Sequence, residues 1–454
     1  MASHGVARAV RTRTEEQRLQ DLAKIETYRD AENQVRAKVA ANAYDDPALF
    51  QLTTKLLRLN PEYYTIWNVR RRCLISGLLC RRSDGSWPSR ASPSTSPSAT
   101  TGPSCEPSSP SSSAVTPPDP SSPATGQGGA TAEEETATTM TREQQEESDG
   151  KVIQSELAFT IPLLLESPKC YWIWNFRHWI LSQATLRLAL PAARKVWENE
   201  LGLASKMLVK DRRNFHAWGY RRYVVANLES SALQGKSMAE DELAYSEEKI
   251  GRDLSNFSAW HSRSRLILRV LDERGADDKA RAQFLDKELA LVKEGLNVGP
   301  EDQSLWYYHQ FLISQIANCE DRNTIAPALA LDERVTYLRR EIDDIKDLLE
   351  DYVGIKWIYV ALLEYSVALA RLEERAGRNG ERGDLQVWLE RVRALDPMRK
   401  ARWSDVEKQL VSLLAPFPTS PSKYASSVST GNISISPRLG LDDLNVRPPN
   451  RTRT

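Results

Sequence analysis

Three cationic side chains stand where the rest of a repeated text has other residues. Counted back from a recurring tryptophan, position minus five holds Lys169 before Trp174 and Arg213 before Trp218. The other copies carry Glu62, Ser255, Glu301, Tyr352 and Met398 there. Position minus two holds His216, against Thr65, Trp172, Ser258, Ser304, Ile355 and Ala401 elsewhere. Residues that only build a repeat should look alike in every copy, so Lys169 and His216 are exceptions that need another reason. Both fall near the starts of successive helices, where backbone amides already favour anions. Lys169, Arg213 and His216 together are a candidate anion site. The plainer reading of the same spacing is a solvated lysine and a packing histidine.

No complete active site accompanies them. The chain has no Gly-rich phosphate loop, no G-x-S-x-G elbow and no kinase signature. Its cysteines (Cys73, Cys80, Cys105, Cys170, Cys319) are scattered without a C-x-x-C pair, which argues against a zinc site or a disulfide framework and fits a reducing compartment. Four of the five histidines (His178, His216, His261, His309) sit in different repeats, without the i, i+4 spacing of a helical zinc pair. No metal is expected on this chain. His4 stands alone near the N-terminus and is read as an unpaired side chain.

Composition narrows the class. The 454 residues carry 61 basic and 61 acidic side chains, a balance that argues against nucleic-acid binding. No stretch approaches the ~20 apolar residues of a membrane span, and the opening MASHGVARAVRTRTEEQ has no apolar run of the secretory kind. A cytoplasmic protein is expected. Residues 83–150 hold 10 of the 24 prolines, two basic and ten acidic residues, and few large apolar ones. Such text cannot bury enough surface to offset its ordering entropy, so 83–150 is read as a disordered acidic insert and 414–454 as a flexible tail.

The elements that must position the exceptions are read from tryptophan. Trp67, Trp174, Trp218, Trp260, Trp306, Trp357 and Trp403 follow one another by 107, 44, 42, 46, 51 and 46 residues, and removing the 68-residue insert shortens the first gap to 39. Around them run NPEYYTIWNVRRRCL, SPKCYWIWNFRHWIL, DRRNFHAWGYRRYVV, DLSNFSAWHSRSRLI and GPEDQSLWYYHQFLI, with two weaker copies after. An aromatic three before the Trp (Tyr64, Tyr171, Phe215, Phe257) and an aliphatic seven after it would share one helical stripe. The turn-like residue seven before the Trp reads as a helix cap. Each unit is therefore a helical hairpin with the Trp as core, and the whole reads as an all-α, right-handed solenoid of about seven hairpins. Its parts are an N-terminal helix with the first hairpin (1–82), the insert, the remaining six hairpins (151–413) and the tail. The Arg three after the Trp (Arg70, Arg177, Arg221, Arg263) has two readings, bonding between hairpins or a basic concave surface.

With its N-P-x-x-Y-x-x-W-x-x-R-R-x-x-L text, best seen in residues 60–74, the chain resembles the protein prenyltransferase α-subunit family over about residues 20–413. The sixth and seventh copies lose the Arg, and the fifth has His309-Gln310 there. The resemblance implies a heterodimer in which a β subunit holds zinc and the isoprenoid, with no cofactor on this chain. It also implies diphosphate-contacting roles for Lys169 and Tyr171 of PKCYWIW and for His216 of NFHAW, with Phe215 replacing the usual Tyr. Tyr171 has an equal claim as a packing residue. The opening HG-x-x-R text with its acidic helix is most similar to Rab (type II) geranylgeranyl members, in the compact form seen in fungi. The implied reaction is alkylation of a C-terminal cysteine of a Rab GTPase, presented by an escort protein, with geranylgeranyl diphosphate. Lys169 and His216 would then act on the leaving diphosphate, with Arg213 beside them. Two alternatives stay open: the α subunit shared by farnesyltransferase and the type I enzyme, and a non-catalytic helical scaffold.

Overall fold

The computed structural model describes residues 14–79, 141–318, 323–375 and 385–414. Among these are fifteen α-helices and no strand. The leading helix α1 (Glu15–Ala40) is followed by seven pairs: α2 (Pro47–Leu59) with α3 (Tyr64–Cys73), α4 (Arg142–Glu166) with α5 (Tyr171–Arg187), α6 (Leu190–Lys210) with α7 (Phe215–Leu228), α8 (Ala239–Arg252) with α9 (Phe257–Glu273), α10 (Asp278–Val298) with α11 (Gln303–Ala317), α12 (Leu331–Asp351) with α13 (Lys356–Arg375), and α14 (Leu385–Leu395) with α15 (Lys400–Leu414). The all-α hairpin repeat expected from the tryptophans is thus present. By packing the chain forms two units, 1–197 and 198–454, and the division falls inside α6. In the first, α2 packs on α1 and α3, α4 on α5, and α3 on α5. In the second, α8 packs on α9, α10 on α11 and α12 on α13, with α9, α11, α13 and α15 as successive neighbours.

One bond recurs at every hairpin junction. The indole N–H of Trp67 donates to Pro61 O at 2.8 Å, Trp174 to Pro168 O at 3.0 Å, Trp218 to Arg212 O at 2.9 Å, Trp260 to Leu254 O at 2.8 Å and Trp306 to Pro300 O at 2.6 Å. The acceptor lies six residues back, in the turn, so a buried ring packs the core while its polar edge closes the loop. Trp403 does the same with Asp396 O, seven back. The sixth hairpin departs from the expected pattern. Trp357 is only half-buried, and it is Tyr359, buried, whose hydroxyl donates to Val353 O, six back, at 2.9 Å.

Three other expectations are corrected. The minus-three aromatics are not core: Tyr64, Tyr171, Phe215 and Phe257 are 53%, 47%, 47% and 43% exposed. Each is the first residue of its helix, and side chains on a helix lean toward its N-terminus, so here they project past the end. The aliphatics at plus seven (Leu74, Leu181, Val225, Ile267, Ile313, Leu410) are buried as expected. The residue seven before the Trp does not start the second helix but ends the first: Asn60, Ser167, Asp253 and Gly299 are C-caps of α2, α4, α8 and α10. Finally, residues 141–150 of the 83–150 segment are structured. Thr141 accepts from Gln144 N, and Gln144 Oε1 accepts from Thr141 N at 3.1 Å, a capping box that opens α4 at Arg142. The rest of that segment, His4, Cys80, Cys105, Cys319 and the tail beyond Leu414 lie outside the described residues.

The arginines at plus three are buried links rather than surface charge. Arg70 meets Glu156 at 2.6 Å through both Nε and Nη2, Arg221 meets Glu242 at 2.8 and 2.6 Å, and Arg263 meets Glu288 at 2.8 and 2.5 Å. Each pair ties the second helix of one hairpin to the first helix of the next. Arg177 bonds Leu157 O at 2.7 Å and the Thr160 hydroxyl. In the fifth hairpin His309 takes the place of Arg, with Nε2 3.0 Å from Glu341 and Nδ1 2.8 Å from the Tyr365 hydroxyl.

Candidate diphosphate site

The helix starts that carry Lys169 and His216 differ in how they are finished. At α5, Cys170 occupies the cap position and no side chain caps the first turn, which also contains no acidic residue. Lys169 and Tyr171 flank that cap and are exposed. The ring of Tyr171 meets Trp172 edge-on at 5.3 Å, and Trp172 lies 5.2 Å from Tyr64. The result is an aromatic cluster, exposed at Tyr64 and Tyr171, beside a cation at the start of α5, all within the first unit.

At α7 the first turn is closed. Asn214 is buried, and its Oδ1 accepts from His216 N at 3.0 Å and Ala217 N at 3.3 Å. The cap fixes the backbone of His216, whose ring is half-buried and stacked on Phe215, with centroids 3.9 Å apart. Arg213 is exposed and already engaged: Nε and Nη2 reach Asp253 at 2.9 and 2.7 Å. That pairing raises the Arg213 pKa and lowers that of Asp253. Arg213 therefore carries a largely neutralised charge rather than a whole positive one.

Lys169 and Tyr171 belong to the first unit, Arg213 and His216 to the second. Each pair is positioned by its own helix start. The sequence reading missed the residues that hold these starts, Asn214 above all, although Asn before a helix is a common cap signal. It also missed Glu156, Glu200, Glu242, Glu288 and Glu341. Each stands eighteen residues before its hairpin's anchor (Trp174, Trp218, Trp260, Trp306 and Tyr359). That spacing was in the sequence, and it marks Tyr359 rather than Trp357 as the sixth anchor. Among the described residues no three His, Cys, Asp or Glu side chains gather as a metal-holding group, and no helix is long and apolar enough to cross a membrane.

A tandem set of helical hairpins, each closed by an aromatic side chain bonded to the preceding turn, defines a helical-repeat protein of a particular class. Residues 47–76, 153–184, 197–228, 239–270 and 285–316 match the protein prenyltransferase alpha subunit repeat, one match in each of the first five hairpins. The chain is 32% identical over 371 residues to the geranylgeranyl transferase type-2 subunit alpha of Dictyostelium discoideum, covering 79% of this chain and 88% of that one. To the protein of that name in Saccharomyces cerevisiae it is 27% identical over 420 residues, 89% of this chain and 99% of the relative. To that in Schizosaccharomyces pombe it is 26% identical over 220 residues, 48% of this chain and 63% of the relative's length. The chain belongs to the protein prenyltransferase α-subunit family, on the branch of the type-2 geranylgeranyl transferase α subunits.

Proposed function

We propose that this chain works in the cytoplasm as the α subunit of a type-2 protein geranylgeranyl transferase. In this reading it pairs with a β subunit and helps move a geranylgeranyl group from its diphosphate to C-terminal cysteines of Rab-type GTPases delivered by an escort protein. The observation that carries the reading is the near full-length likeness to proteins of that name, joined to Lys169 and His216 at repeat positions where the other hairpins have neither lysine nor histidine.

The chemistry of this chain is electrostatic. As the bond from the prenyl carbon to oxygen breaks, negative charge collects on diphosphate. The Lys169 ammonium and the His216 imidazole are donors suited to that charge. Donors fixed in advance stabilise the transition state more than the ground state. Tyr171 adds a hydroxyl donor, and Arg213, paired with Asp253, adds a partly neutralised guanidinium. Zinc, expected on the β subunit, would favour the thiolate form of the cysteine. The exposed aromatics Tyr64, Tyr171, Phe215 and Phe257 suit the surface a partner subunit covers.

Co-purification with candidate β subunits tests the assignment. Transfer from geranylgeranyl diphosphate to a Rab GTPase that requires the escort protein is the expected result. Escort-independent transfer from farnesyl diphosphate would indicate the shared farnesyl/type I subunit. No transfer with any β subunit would indicate a scaffold.

A further inference from the structure

A groove lies at the end of α3. There the helix passes into a π-helical turn, Leu74–Leu78, with Leu79 N donating to Leu74 O at 2.7 Å. Such turns are rare and concentrate at functional sites, because the extra residue re-aims neighbouring side chains. Ile75 and Ser76 of this turn are exposed, and with Tyr44, Arg71, Arg72 and Trp179 they line a groove of about 360 Å³.

The lining holds two guanidiniums and no acid. Arg72 donates to the Tyr44 hydroxyl at 2.8 Å, and its guanidinium lies 5.3 Å from that ring's centre. Arg71 donates to Asn68 Oδ1 at 2.9 Å and Asn175 Oδ1 at 2.6 Å, with its guanidinium 5.7 Å from the centre of Trp179. Its Nε is buried and has no acceptor, and burial lowers its pKa. Among the described residues neither arginine meets a carboxylate, whereas Arg70 beside them is matched by Glu156. A buried donor without an acceptor is costly, and two unmatched guanidiniums in one groove favour an anion. A carboxylate would neutralise one of them; a phosphate dianion neutralises both. Trp179, Tyr44 and Ile75 add apolar wall beside the charge.

We propose that this groove binds a phosphate monoester carried on an apolar or aromatic stem. The phosphate meets Arg71, Arg72 and Ser76, and the stem lies against Trp179 and Ile75. The site is independent of prenyl transfer.

Isothermal titration of the full-length chain with phenyl phosphate tests it, with inorganic phosphate and benzoate as comparisons. Phenyl phosphate should bind saturably at one site and more tightly than either comparison. Arg72→Ala should weaken it roughly tenfold, as expected for one lost charge-assisted contact, and Ile75→Glu should abolish it. Arg71 also joins α3 to α5 through Asn175, so the exposed Arg72 and Ile75 carry the test without risk to the fold. Absence of saturable binding, or binding unchanged in both variants, overturns the proposal. Equal binding of inorganic phosphate overturns the role of the stem.

Discussion

Glu288 accepts from Arg263 at 2.8 and 2.5 Å and from the Tyr308 hydroxyl at 2.5 Å, so one buried carboxylate joins three helices. Removing it leaves the buried Arg263 guanidinium with only the more distant, exposed carboxylate of Glu247, 3.6 Å away. Glu288→Ala should therefore cost about 3–5 kcal/mol, the range for breaking a buried pair from one side. A urea-unfolding midpoint close to that of the native chain would contradict the structural role given to these pairs.

The sixth hairpin gives a sharper comparison. Tyr359 is buried and bonded to the turn, while the half-buried Trp357 lies against Tyr307 at 5.7 Å. Tyr359→Ala should lose about 3–5 kcal/mol, as for a large aromatic removed from a core. Trp357→Ala should lose less, despite removing the larger side chain. Thermal unfolding of the two variants checks the order, and the reverse order would restore Trp357 as the anchor.

Asn214 caps α7 through His216 N and Ala217 N, and Asn256 caps α9 through Ala259 N. Replacing either by Ala should cost about 0.5–2 kcal/mol of stability. Only Asn214→Ala should also slow prenyl transfer, since the cap it removes fixes the backbone of His216. Equal rates in the two variants would show that His216 needs no such positioning.

Alkaline pH should weaken the fold. Burial pushes the Cys73 thiol up to about 12 and the Cys170 thiol up to about 11. Burial likewise raises the phenols of Tyr308 and Tyr365. In the unfolded chain thiols ionise near pH ~8.5, so the stability tied to their neutral forms is intact below that pH and lost as pH climbs toward 11–12. Urea midpoints should fall steadily above pH ~9. Iodoacetamide at pH 8 should label Cys73 and Cys170 only after unfolding, as peptide mass mapping would show.

The hairpins were legible because Trp is large, scarce and periodic, and five copies repeat nearly the same text. The sixth was misread because Tyr359 replaces the indole by a phenol with the same bond, while Trp357 stands two residues away in the expected place. The eighteen-residue offset of Glu341 from Tyr359 would have corrected it. Periodicity alone could not show that Tyr64 or Phe215 is exposed. Both lie near the buried stripe in angle but occupy the first turn, where no preceding turn covers them. The start of α4 was legible in Thr141-Arg142-Glu143-Gln144, but the acidic composition of its surroundings outweighed the cap. Of the candidate site, Lys169 and His216 stood out as exceptions to a repeat. The engagement of Arg213 by Asp253, forty residues on, depends on helix packing that no local pattern encodes.

Lys169 is the group on which the proposed diphosphate role of this chain most depends. In the heterodimer with its β subunit, Lys169→Ala should leave assembly intact and slow single-turnover transfer from geranylgeranyl diphosphate by ~30- to 1000-fold, the cost of one lost donor to a developing oxyanion. A single-turnover rate equal to that of the native heterodimer would contradict the diphosphate role assigned to this chain.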